Sequence, residues 1–357
     1  MSESSVHQTD AVVIGAGPVG LFAIFQLGMA RLRCHVVDVL DAPGGQCTAL
    51  YPEKPIYDVP AFPKIMGGDL IDRLLEQAKP FAPTFHLGHR IEGLARTEDD
   101  ARWRLTTHKG TVIEAPVVVI AAGAGAFGPN RPPLAGLERF EGTSVFYFVA
   151  RRDAFQDRHV VIAGGGDSAV DWALSLAEVA ASVSVVHRRA KFRAAPESVA
   201  RLHALAEAGR ITLVTPYQLH ALEGDDDTLT AVIVADLDGA TRRLEADRLL
   251  PFFGLATDLG PIAQWGLDLH RHQLVVDPAT CATNLPGVFA IGDVASYPGK
   301  LKLILTGFAE AAAAAHAAYG IARPGEALHF EHSTTTGVPG VSNENTASRS
   351  SLAATRP

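Results

Sequence analysis

Thiols are scarce in this chain. Its 357 residues include three cysteines, Cys34, Cys47 and Cys281. No two of them stand at C-x-x-C or metal-ligand spacing, which excludes a disulfide scaffold and a zinc ribbon. No metal is expected, and the odd count fits a reducing compartment. Positive charge is also in deficit, with a net charge of −8 and a pI near 5.9. That balance, without a basic tail, argues against a nucleic-acid binder. One charge-free run, residues 11–30 (AVVIGAGPVGLFAIFQLGMA), is long enough to cross a bilayer. Its middle is GAGPVG, however, and the preceding MSESSVHQTD has no lysine or arginine for a signal-peptide n-region. The run reads as a buried strand, a glycine turn and a buried helix. A cytoplasmic protein with no membrane association is expected.

What is present is a repeated unit. The length implies two domains, and 47% apolar with 20% charged residues is ordinary for globular proteins. Ala11–Ile14 is a short apolar run, followed by Gly15-Ala16-Gly17-Pro18-Val19-Gly20 and a helical pattern to Ala30. His35-Val36-Val37-Asp38 is then a second strand that ends in an acid. Strand, G-x-G-x-x-G, helix, strand, acid is the dinucleotide-binding pattern. Gly15, Gly17 and Gly20 allow a tight turn, close approach of a pyrophosphate and close helix packing. Asp38 is placed to accept hydrogen bonds from the adenosine ribose.

The second copy starts at His159. HVVIA leads into Gly164-Gly165-Gly166-Asp167-Ser168-Ala169, a helical stretch and the strand VSVV. Gly164, Gly166 and Ser168 belong to this turn, and Ala169 replaces its third glycine. Asp38 lies 23 residues beyond Gly15, and His187 lies 23 beyond Gly164. The basic segment HRRAKFR therefore occupies the slot that holds an acid in the first copy. An acid there would repel a 2′-phosphate, whereas Arg188, Arg189 and Arg193 would bind one through charge-assisted bonds. The expectation is NADP(H) rather than NAD(H); a solvated basic turn is the alternative. VVVIAAG (117–123) and GVFAIGD (287–293) are further strands running into glycine turns.

Two nucleotide sites in this order resemble the FAD-dependent pyridine nucleotide–disulfide reductase superfamily. Thioredoxin reductases in that superfamily carry a C-x-x-C just before the second glycine turn. Here Phe146, Tyr147, Phe148 and Val149 stand in its place. GGQ (44–46), LYPEKPIYDVPAFPKI (50–65), VFYFV, VVHRRxxFRA and KLKLILTGF resemble the thioredoxin-reductase-like class of ferredoxin–NADP reductases. The resemblance runs to about Thr335. It implies an α/β fold of two Rossmann-like three-layer dinucleotide-binding domains, the NADP domain inserted into the FAD domain. The FAD domain would comprise 1–127 and 286–335 and the NADP domain 128–285, with hinges near Gly123–Gly128 and Asn284–Gly287. The tail, 336–357, is expected to be disordered.

The resemblance further implies that Gln46 and Tyr51 touch the flavin, Ile91 and Phe127 line it, Asp293 holds it, Thr334 reaches it, and His332 covers its far face. The implied reaction passes hydride from NADPH to FAD and then single electrons to ferredoxin or flavodoxin. It requires no general acid or base, and no such catalyst is nominated. The N-terminus of a helix over Leu303–His316 would point at the flavin. Lys300, Lys302, Arg151 and Arg152 are candidates for a basic docking face, and a homodimer is expected. Three rivals remain open: a flavoprotein monooxygenase, whose F-x-G-x-x-x-H is approached by FEGTSVF (140–146), an NADPH-dependent reductase of another small acceptor, and a non-catalytic FAD/NADP redox sensor.

Overall fold

The computed structural model describes residues 6–99, 101–123, 125–328 and 337–338. The expectations for His332, for Thr334 and for most of the tail lie outside the described residues. The chain divides into two compact units, one of Met1–Ala49, Lys54–Ala126 and Asp258–Pro357, the other of Leu50–Glu53 and Phe127–Thr257.

In the first unit the β-branched runs form a five-stranded parallel sheet. Its order is Val288–Ala290, Val117–Ile120, Ala11–Ile14, Cys34–Val37, Thr84–His86. Ala11–Ile14 and Val117–Ile120 are buried along their whole length. Such uninterrupted apolar strands need cover on both faces. Helices Pro18–Met29 and Ile304–Ala322 pack against each other, and Gly67–Ala78 packs against the first of them. A second sheet, Val6–Gln8, Val112–Ala115, Trp103–Thr107, Ile91–Arg96, completes the core.

The return crossing comes at Asp258 rather than near Asn284–Gly287, where glycine, proline and asparagine drew the boundary in the sequence. The reason is packing. Leu259, Ile262, Leu267, Leu274 and Val276 share one buried cluster with Val12, Ile14 and Val118.

The second unit repeats the plan on a smaller scale. Its parallel sheet has the order Thr212–Val214, Ser182–Val186, His159–Ala163, Arg248–Pro251. Helices Asp167–Leu176 and Pro196–Glu207 pack on each other. Gln218–Asp225, Thr228–Ala235 and Thr241–Glu245 make an antiparallel three-stranded sheet. No described helix is long and apolar enough to cross a membrane.

A row of histidines marks one edge of the first unit. His35 on an inner strand and His86 on the edge strand face each other with Nδ1 and Nε2 3.0 Å apart. His7 lies tilted against both rings, and His89 continues the row to His108. Burial, and then the charges of His35, His7 and His89, hold His86 down to about 4. Burial, His7 and Arg33 lower His35, while burial, Lys109 and His108 lower His89. A base depressed in the folded state stabilises the fold above its unfolded pKa and loses that contribution as pH falls. Stability should therefore decline from about pH 6.5 towards about pH 4. The clearest part lies above about pH 5, before most carboxylates titrate. Urea unfolding across this range should show a smaller slope for His86→Gln than for the wild type.

Candidate functional site

The first glycine turn is shaped by backbone contact. A Cβ on Gly20 would lie 1.9 Å from the Gly15 carbonyl oxygen, and one on Gly15 would lie 2.4 Å from that of Ala121. At Gly17 a Cβ would meet nothing within 4 Å. The two outer glycines are therefore packing requirements, and the middle one leaves space above the turn. Gly17 is the N-cap of helix Pro18–Met29, whose first turn carries neither an acid nor a side-chain cap. The proline at N1 needs no N–H partner, so this end presents free backbone donors.

Other carboxyl ends of the same sheet converge here, as expected for α/β ligand sites. Asp38 is buried and fixes the turn, accepting the Ala16 N–H at 2.6 Å and the Leu40 N–H at 2.8 Å. Burial raises its pKa, against the opposing effect of these backbone donors. The Gly44 N–H donates to the Ala16 carbonyl at 2.8 Å, and a Cβ on Gly45 would lie 3.1 Å from Gly17 Cα. Gln46 starts the short helix Gln46–Ala49, with Nε2 4.0 Å from where a Gly123 Cβ would stand.

Asp293 is half-buried in the 3-10 turn Gly292–Val294, after strand Val288–Ala290. Val19 bridges this turn to the last helix. It lies 3.5 Å from a Cβ placed on Gly292 and 2.3 Å from one placed on Gly307. Helix Ile304–Ala322 starts close to the predicted point, with Leu303 as N-cap, but runs six residues past His316. Its first turn also lacks an acid. The sheet edge, two open helix N-termini and Asp293 thus form one polar cradle suited to a dinucleotide phosphate.

Of the other residues expected at the flavin, Ile91 and Tyr51 pack against hydrophobic clusters. Ile91 is 5% exposed and belongs to the core cluster with Val37 and Trp103. Tyr51 falls in the second unit, where it packs against the cluster containing Val149, Phe155 and Trp172. Phe127 begins the longer segment of the second unit, in strand Ala126–Pro129, and its side chain lies outside the described residues.

In the second unit the turn Gly164–Gly166 follows strand His159–Ala163. Gly164 packs against the Phe252 carbonyl and Ala169, and a Cβ on Gly166 would meet nothing within 4 Å. Gly166 caps helix Asp167–Leu176, and Ser168 is exposed in its first turn. The basic segment is tied to this turn by its backbone. The Arg193 N–H donates to the Gly165 carbonyl at 2.7 Å, and the Ala195 N–H donates to Asp167 Oδ1 at 2.8 Å. Arg188, Arg189, Lys191 and Arg193 are all exposed, and none pairs with an acid among the described residues.

His187 anchors the segment. Its ring stacks on Phe192 at 5.3 Å and lies against Gly165. Burial, with the adjacent arginines, lowers its pKa and favours the neutral ring. The four unpaired cations thus flank a glycine turn and a helix N-terminus.

The docking cations proved mostly committed. Lys300 is buried in an ion pair with Glu310, Arg151 pairs with Asp153, and Arg152 pairs with Glu178. Lys302 stays exposed, between the exposed Leu301 and Leu303. Sequence reasoning missed Gln273, whose Nε2 donates to the Asp293 carbonyl at 2.7 Å, and Glu310, the only acid in the last helix. That solitary acid in an alanine-rich stretch was the available signal for Glu310; Gln273 gave none. Burial raises the Cys34 and Cys281 thiols to about 12, and all three cysteines are buried and outside any disulfide.

The pyridine nucleotide-disulphide oxidoreductase family matches residues 9–318, and the chain belongs to that family. Within it, the chain is 69% identical to a ferredoxin–NADP reductase of Rhodospirillum rubrum, over 96% of this chain and 99% of the relative. It is 65% identical to one of Paramagnetospirillum magneticum, over 93% and 98%. The fold is also that of the thioredoxin reductases of Lactococcus lactis and T. acidophilum. Their TM-scores are 0.76 and 0.77, at 24% and 22% identity, with 88% of this chain covered in each case. The first match covers 99% and the second 98% of the solved chain.

A methyl group on Gly165 would stand 2.3 Å from His187 Cε1. Gly165→Ala should displace that ring and the basic segment with it. Binding of NADPH should weaken about tenfold, equivalent to ~1.4 kcal/mol. Fluorescence titration checks this, and unchanged affinity contradicts the anchoring role.

Proposed function

We propose that this chain is an FAD-dependent ferredoxin–NADP(+) reductase. The observation that carries the reading is the contrast between its two glycine turns. One is closed by the buried carboxylate of Asp38, the other flanked by four unpaired cations. A carboxylate in that slot suits a ribose diol, and arginines suit a ribose carrying a phosphate. FAD therefore fits the first cradle and NADP(H) the second. The full-length relatives named ferredoxin–NADP reductase give the activity. Bound FAD would supply the exchange between a two-electron hydride donor and a one-electron acceptor.

The chain's own residues bind and orient. The N–H groups beyond Gly17 and Leu303 hold phosphate and ring oxygens, Asp38 holds the adenosine end and Asp293 the ribityl side. Gln46 and Tyr51 would contact the flavin, and the backbone or side chain of Ile91 and Phe127 would line it. Thr334 and His332 complete this assignment. Gly164, Gly166 and Ser168 receive the NADP pyrophosphate, and Arg188, Arg189 and Arg193 its 2′-phosphate. The reading extends to a cytoplasmic homodimer, to the division into an FAD domain and an inserted NADP domain, and to flavodoxin as a second acceptor of the same redox class.

The purified protein should be yellow, and anaerobic NADPH should bleach it before ferredoxin is reduced. Arg188→Ser/Arg189→Ser should raise KM for NADPH about a hundredfold while changing that for NADH less than about threefold. Equal losses for both nucleotides would contradict the 2′-phosphate assignment. Because three of the four expected docking cations are already paired, salt should weaken ferredoxin reduction only moderately. Lys302→Glu should raise KM for ferredoxin about three- to tenfold, with NADPH oxidation by a small dye unchanged.

A further inference from the structure

Helix Ile304–Ala322 contains a single acid, and that acid is buried: Glu310 is 5% exposed. Its two oxygens have separate tasks. Oε2 accepts the Gly292 N–H at 2.7 Å. Oε1 accepts the Tyr297 hydroxyl at 2.6 Å and the ammonium group of Lys300, itself 7% exposed. A buried carboxylate is costly unless its lone pairs are used, and here three donors use them. Nothing in helix formation requires an acid at this point, since alanine is the better helix former and fills most neighbouring positions. The residue is explained by what it grips.

Gly292 is the hinge of the Asp293 turn. It has φ +74°, packs on Val19 of the first glycine turn, and precedes the aspartate directly. The turn is held on the other side by Gln273, which donates to the carbonyls of Asp293 and Ala295. Among the described residues the Gly292 N–H has no backbone acceptor, so Glu310 decides where it sits.

We propose that Glu310 is a positioning residue for the FAD-binding turn, fixing Asp293 through the Gly292 N–H. Lys300 serves to hold the carboxylate in place rather than to dock a partner. This rests on the assignment of Asp293 to FAD. Glu310 acts through the backbone and does not touch the cofactor.

Two double variants separate the contact from the charge, because neither leaves a buried charge alone. Glu310→Ala/Lys300→Met removes the acceptor for Gly292, and Glu310→Gln/Lys300→Met keeps an acceptor oxygen there. FAD release from diluted holoprotein is followed by recovery of flavin fluorescence. The alanine variant should raise the FAD Kd at least about tenfold, and the glutamine variant should stay within about threefold of wild type. An alanine variant that holds FAD like wild type overturns the proposal, as does a glutamine variant no better than alanine. If the alanine variant does not fold, Glu310→Asp decides. Its shorter side chain retains the charge but withdraws from Gly292, so Kd should again rise about tenfold, and an unchanged value overturns the role. A wild type that takes up no FAD sinks the functional reading itself; a yellow wild type with unaffected variants sinks only the part given to Glu310.

Discussion

The site depends on backbone approaching backbone more closely than any side chain permits. At the first turn, a Cβ on Gly15 or Gly20 would fall within 2.4 Å of a backbone oxygen, and in the last helix one on Gly307 would lie 2.3 Å from the Val19 side chain. Those contacts bring two strand ends and two helix ends together. Both helix N-termini lack a side-chain cap and an acid in the first turn, which favours bound negative charge. Gly17 differs, because nothing within 4 Å would oppose a Cβ there. Packing explains its neighbours but not Gly17.

Electrostatics divides the labour between two turns of similar backbone. In the first unit the charged group near the turn is buried and held by one backbone donor on each oxygen, which leaves further lone pairs for a ligand. In the second, the cations are exposed and pair with no acid among the described residues, so their charge remains available to a ligand. The contrast holds across the chain. Arg151, Arg152 and Lys300 look equally available in the sequence, yet each is neutralised by an acid. The two arginine pairs lie at the surface and contribute little stability, whereas the lysine pair is buried; all three remove a cation from any docking face.

Legibility in the sequence followed the range of the interactions. The two glycine turns, Asp38, the arginine segment and the last helix are local patterns, and they were readable because a few adjacent residues encode them. Gln273 and Glu310 reach Asp293 and Gly292 from 20 and 18 positions away, respectively, and no spacing rule signals that. The placing of residues 258–285 with the first unit is also non-local. Leu259 to Val276 join a core formed by strands from the other end of the chain, whereas the Asn284–Gly287 turn advertised a boundary that packing does not respect.

The same reasoning bears on why a fold shared with thioredoxin reductases should not reduce disulfides here. The second unit contains no cysteine. Where the resemblance places a dithiol, Val149 is fully buried, and Phe146 meets Phe155 edge-on against the same cluster. Those side chains form part of the core that supports strand His159–Ala163, and a pair of thiols would leave that volume unfilled. Cys34 and Cys281 offer no substitute, since burial pushes their thiols to about 12 and a thiolate is the reactive form. Residues that could have carried thiol redox chemistry instead carry packing, so electrons delivered to this scaffold must leave it by another route.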